Sequence, residues 1–226
     1  MDRKDPRLVA GHRLVTTGIR LAGLVLASVG LSLGQQSPDT KPKVSDKPLT
    51  AEQLAVYRVV LHGWMDDGKQ TVNLAVQTVQ LETSGPTGDE DCEKGLDLEP
   101  ASPAVVHRFR KDDLRQLGSN KIGLVDPDEQ MKKVAGNDPE KTVHKGLSIN
   151  DAVSNAFAHG LVTLSEIRFD KEHNFAVVSY SFVCGGLCGN GGTAVMEKRN
   201  GTWTRKSHCH AWISRQAIPS RAASPA

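Results

Sequence analysis

The spacing of apolar positions changes along the chain, from a helical period near residue 50 to a two-residue period after residue 160. Thr50-Ala-Glu-Gln53 has the form of a capping box, and Leu54, Tyr57 and Leu61 follow at helical spacing, which predicts a helix over about 50–62. After the turn Asp66-Asp67-Gly68, apolar Val72, Leu74 and Val76 alternate with Asn73, Ala75 and Gln77, predicting a strand from Val72 to Leu81. Residues 83–103 are turn-rich and acidic around Cys92. Ser102-Pro103 reads as an N-cap and first helical residue, and Val106, Phe109, Leu114 and Leu117 form a broken apolar stripe ending at Gly118. Asp126-Pro127 starts a short helix that Gly136 stops, and Ser148 begins another to about Ala158.

The last third reads as β-structure. Leu161–Phe169, Asn174–Val183, Thr193–Lys198 and Thr202–Ser214 are strand-like, with turns at Asp170–His173, at the glycine-rich run 184–192 and at Asn200-Gly201. Asn-Gly between two strands is a strong hairpin signal, because a type I′ turn needs positive φ at both central positions. Such short connections predict an antiparallel β-meander. The fold class expected is α+β, with helices packed on one face of a mainly antiparallel sheet.

The N-terminus changes the reading of composition. Arg3, Lys4, Arg7, Arg13 and Arg20 precede or open an uncharged apolar run, Leu21 to Gly34, with small Ser32 and Gly34 placed for cleavage before Gln35. This predicts a signal peptide over 1–34, the alternative being an uncleaved N-terminal anchor. The run covers 14 residues, short of the roughly 20 of a spanning helix. A polar, proline-spaced linker is expected over 35–48, a single domain over 49–214 and a disordered tail over 215–226. Residues 1–34 hold five Lys/Arg and two Asp/Glu, so 23 basic and 24 acidic residues remain beyond them. That near-neutral balance excludes the basic footprint of a nucleic-acid binder. A periplasmic or secreted location is expected, with no membrane span once the signal is removed.

Export makes disulfides the default use of Cys92, Cys184, Cys188 and Cys209. In Cys184-Gly-Gly-Leu-Cys188-Gly-Asn-Gly-Gly192, a three-residue connection can place the two cysteines opposite one another, inside disulfide range. A metal half-site or a redox pair is the alternative, although the spacing is not Cys-x-x-Cys. Side-chain alternation puts Cys209 on a buried face with Trp203, Ala211 and Ile213, and His208 and His210 on the other. Cys92 is then the simplest partner for Cys209. The same two histidines with Cys184 and Cys188 make the one candidate zinc set, and a β-bulge near Ser207 would reverse the face assignment.

Catalytic templates are missing. There is no Gly-x-Ser-x-Gly elbow, no His-Glu-x-x-His and no phosphate loop. His62, His107, His144, His159 and His173 are scattered, and Glu166 and Asp170 at a strand end are expected to be solvated carboxylates. No catalytic residue and no cofactor are assigned.

Cys184-Gly-x-Leu-Cys188-Gly-x-Gly191, Glu197-Lys198, Asn200-Gly-x-Trp203 and Trp212-Ile-Ser214 together resemble the C-terminal segment of exported bacterial proteins of unknown function. The resemblance covers about residues 161–214 and implies export, without implying a chemistry. The expected function is a non-enzymatic binding or envelope-associated domain stabilised by disulfides, acting on an unidentified ligand or envelope protein. The alternative is a zinc-dependent or thiol-based enzyme using the Cys184/Cys188 loop with His208 and His210.

Overall fold

The computed structural model describes residues 42–65, 71–81, 93–100, 105–118 and 121–214. The expected signal peptide, Cys92, Ser102-Pro103 and the expected tail lie outside the described residues. In chain order the elements are β1 (Lys43–Val44), α1 (Ala51–Met65), β2 (Val72–Ala75), β3 (Val105–Val106), α2 (Asp113–Gln116), β4 (Ile122–Val125) and α3 (Pro127–Gly136). There follow α4 (Pro139–His144), α5 (Ile149–His159), β5 (Leu161–Leu164), β6 (Arg168–Phe169), β7 (Phe175–Gly185), β8 (Cys188–Arg199) and β9 (Thr202–Ile213).

Three of the helices, α1, α3 and α5, begin where their caps predict. Gln53 N donates to Thr50 Oγ1 (3.1 Å) while Thr50 N donates to Gln53 Oε1 (2.8 Å), the reciprocal pair of a capping box. Asp126 caps α3 through Glu129 N with Pro127 in the first turn, and Ser148 caps α5 through Asp151 N.

The large sheet runs β4-β2-β5-β7-β8-β9, with β6 also paired to β7. β2 lies parallel to β4 and β5, and every later pairing is antiparallel. The class is α+β with a C-terminal meander. Asn200 (φ 50) and Gly201 (φ 76) turn β8 into β9, as the Asn-Gly pair predicts.

Two stretches depart from the local pattern. Residues 105–109, expected as the start of a helix, run extended: Thr78 N donates to His107 O and Phe109 N to Val76 O, both at 2.9 Å. Pairing with the β2 side of the sheet outweighs local helix propensity there, and only Asp113–Gln116 is helical. Residues 43–46, expected as linker, pair instead: β1 lies parallel to β3, and Ser45 N donates to Val106 O at 2.7 Å.

The main core lies on one sheet face, where Leu54, Tyr57 and Leu61 of α1 meet Leu74, Val162, Val178, Met196 and Trp203. Ala156 of α5 joins the same core, and its neighbour Phe157 packs on Phe182 with ring centroids 5.3 Å apart. The opposite face carries less cover. Val134 of α3 packs on Ala75 and Leu161, and Leu96 and Leu98 pack with Val177, Val195 and Cys209.

Candidate functional site

The glycine-rich run forms the tip of the β7–β8 hairpin. The last strand pair is Gly185↔Cys188, so Gly186 and Leu187 make the turn, and a register shift after Val183 sets Cys184 out of the ladder. Cys184 and Cys188 form a disulfide with Cα atoms 5.0 Å apart. So small a ring contributes only about 2 kcal/mol by the chain-entropy relation. Its effect is therefore chiefly to shape the tip, and it also ties the tip to the core, because the Cys184 side chain is itself a buried core member.

The tip is docked on α4. Gly186 N donates to Asp138 Oδ2 at 2.7 Å, while Asp138 Oδ1 caps α4 through Glu140 N and Lys141 N. A Cβ on Gly185 would stand 2.8 Å from Pro139 Cδ, so this approach requires glycine. The Gly186 amide, and after it the other backbone donors, hold the Asp138 carboxyl below its ordinary value against the opposing effect of burial. A carboxyl depressed in the folded state stabilises the docked loop above the ordinary carboxylate range and ceases to do so as pH falls through its lowered value. Lowering the pH from 7 to below roughly 4 should thus reduce the protection of the Gly186 amide, its exchange measured against the intrinsic rate at the same pH. Exchange that follows only base catalysis, with no loosening in acid, would show that Asp138 does not hold the tip.

Around this tip the surface is apolar and concave. A groove of about 670 Å³ is walled by Val143, Ile149, Val153, Phe157, Leu187 and Ile213. Ile149 is 70% exposed and Ile213 67%. Asp138, Glu140, His144, Asn190 and Ser214 supply a polar rim.

A second concavity, about 580 Å³, lies on the opposite sheet face and is lined by Thr78, Ser165, Ser179, Thr193, His210 and Trp212 among others. Two of its hydroxyl contacts are made within the wall itself: Ser179 Oγ bonds Thr193 Oγ1 at 2.7 Å, and Ser165 Oγ donates to Glu166 O at 2.7 Å. Beneath it, Glu166 takes hydrogen bonds from Thr78 Oγ1, from His107 N (2.7 Å) and, at its second oxygen, from His107 Nδ1 (2.9 Å). Glu166 is 17% exposed, not solvated as its place in the sequence suggested, and His107 is 18% exposed. Asp170 is buried too, accepting from Asn174 N and Phe175 N. Thr78 and His107 address the same carboxylate, so the trio lacks the nucleophile–imidazole–acid order of a relay.

The four residues of the candidate zinc set are not brought together. The sulfurs of Cys184 and Cys188 are bonded to each other. β9 carries one extra residue at Lys206, between the pairs Met196↔Arg205 and Val195↔Ser207. That bulge turns the strand over, so Trp203 faces the main core while Cys209 packs with Val177 and Val195 on the opposite face. Cys209 and Trp203 therefore do not share a face. A second register shift, with His210 at φ 50, separates the histidines. His208 stacks on Tyr180 and bonds its hydroxyl through Nε2 at 2.7 Å, whereas His210 lines the hydroxyl-rich concavity. Among the described residues no group of three or more His, Cys, Asp or Glu is placed to hold a metal ion. Cys209 is not a free thiol; its expected partner Cys92 lies outside the described residues, although Leu96 and Leu98 do fold back over Cys209.

Sequence reasoning missed the groove beside the hairpin tip, whose only trace was a surplus of apolar residues in 147–157 beyond those the core needs. No helix among the described residues is long and apolar enough to cross a membrane. No protein-family model, no curated protein and no solved structure matches this chain.

Proposed function

We propose that the chain is a non-enzymatic binding domain of an exported protein, and that the groove beside the Cys184–Cys188 tip receives an apolar segment of another envelope polypeptide. The exposure of Ile149, Val153, Phe157, Leu187 and Ile213 around one concavity carries this reading. Solvated apolar side chains gathered in one place raise the free energy of the isolated protein and are relieved by a partner. An apolar centre with a polar rim is the anatomy of a protein interface. The bonded state of the two sulfurs favours this reading over a thiol- or zinc-dependent enzyme.

The test uses a neutral apolar dye, Nile red, and site-specific photocrosslinking in the native cell. The folded protein should bind the dye, and Phe157→Ser should weaken binding roughly tenfold, the scale of one large buried apolar side chain. Crosslinkers at Ile149 and Ile213 should give the same protein adduct, and one at Lys132 on α3 should give none. Adducts to lipid alone, or dye binding indifferent to Phe157→Ser, would overturn the proposal. Mature protein beginning near Gln35 is the expected result of N-terminal sequencing, and full-length protein in the cytoplasm would remove the exported setting.

A further inference from the structure

A third concavity lies far along the main-core face, between α1 and the edge strand β9. It measures about 710 Å³, within the roughly 300–1,000 Å³ of small-molecule sites. Ala51, Ala55 and Val59 of α1 form an apolar wall, and the indole of Trp203, 5% exposed, forms part of the floor. Arg58 and His62 project from α1 and Arg205 from β9 into the same space.

The charge there is not balanced among the described residues. Among the described residues neither Arg58 nor Arg205 takes part in an ion pair or hydrogen bond. The described acids nearest them are committed elsewhere. Glu52, near the start of α1, bonds Lys198 (2.6 Å) and His173 (2.7 Å). Glu197 of the neighbouring strand bonds Arg199 (2.6 Å) and lies 4.0 Å from Lys206. Arg58 is also positioned: its Nε lies where a Cβ on Gly118 would come within 2.9 Å, and Gly118 has φ +85. The guanidinium thus rests over a bare backbone. The bulge at Lys206 comes after Arg205, so Arg205 keeps the same face as Trp203 and looks into the groove.

From this geometry we infer a binding site for a small organic oxyanion, a carboxylate or phosphate on a flat apolar body. The two guanidinium groups bind the anionic head, which suits their planar forked donors, and the body lies along Trp203 and the alanine wall. A second cation without a partner in one concave space raises the local potential and draws anions in. The site is separate from the apolar groove at the hairpin tip and does not depend on what that groove binds.

Phenyl phosphate and phenol serve as probes, with the full-length protein titrated by calorimetry at low and moderate salt. Phenyl phosphate should bind at least tenfold more tightly than phenol, with the difference shrinking as salt rises. Arg58→Gln and Arg205→Gln should each lose that preference, while Arg58→Lys keeps part of it. Both arginines are exposed, so these variants should melt like the parent. Arg110→Gln, an arginine whose guanidinium bonds Asp46 O, is the control and should leave binding unchanged. Equal binding of the two probes, or an anion preference that survives both glutamine variants, would overturn the site.

Discussion

Tyr57→Ala should be the most destabilising single change in this domain, costing about 3–5 kcal/mol as other buried aromatic truncations do. Tyr57 is fully buried, meets Phe109 edge-on with ring centroids 5.3 Å apart, and donates its hydroxyl to Ser165 O at 2.8 Å. The ring and the hydroxyl can be separated. Tyr57→Phe keeps the ring and orphans a buried carbonyl, at a cost of about 1–3 kcal/mol. Denaturant midpoints should thus order parent, Tyr57→Phe, Tyr57→Ala; equal loss in both variants would show that the hydroxyl, not the packing, anchors α1. The same residue sets an alkaline limit. Burial, and next the Glu166 charge, push the phenol well above its ordinary value. A pKa raised on folding leaves stability intact below the unfolded value and removes it above, so the domain should weaken above about pH 10. Tyr57→Phe should be less steep in that range.

Glu166→Ala should rank second. The carboxylate is the shared acceptor for Thr78, the His107 amide and the His107 ring. Its removal leaves three polar groups facing a mostly buried space, and breaking such a network costs about 3–5 kcal/mol when burial is complete. With residual exposure the lower part of that range is expected. Glu166→Gln retains one carbonyl oxygen for the amide and hydroxyl and should recover more than half of the loss. If Glu166→Ala unfolds at the parent's midpoint, water replaces the carboxylate without cost and the network is incidental.

These two residues also mark what the chain's pattern could and could not reveal. Tyr57 was legible, because α1 declares itself through Thr50-Ala-Glu-Gln53 and three apolar positions at helical spacing, all of which act within a few residues. The Asn200-Gly201 hairpin was legible for the same reason, since the turn depends on its own two residues. Glu166 was not. Its burial depends on Thr78 and His107, which are 88 and 59 residues away in sequence, and no local pattern encodes such a meeting. Residues 105–109 misled for a related reason: the spacing of Val106 and Phe109 suits a helix, but Val76 and Thr78 supply strand partners. The face of Cys209 hung on one inserted residue at Lys206, which reverses the side chains from Ser207 up to the second bulge at His210. Of the candidate sites, the disulfide tip was visible in its glycines and cysteines, whereas both grooves arise from surfaces of separate elements.

That inserted residue has a bearing on how the protein behaves in a crowd of its own copies. Among the described residues β9 is the outermost strand of the sheet and twelve residues long, which is long for an edge strand. A straight strand of that length would be a template for a neighbouring molecule to extend the sheet and start a fibre. The bulges at Lys206 and at His210 break its regular spacing twice, and Arg205 and Lys206 put like charges in the path of an approaching copy. Any strand drawn up against β9 would find its own ladder out of step after a few residues, so the two bulges themselves discourage extension of the sheet from this strand.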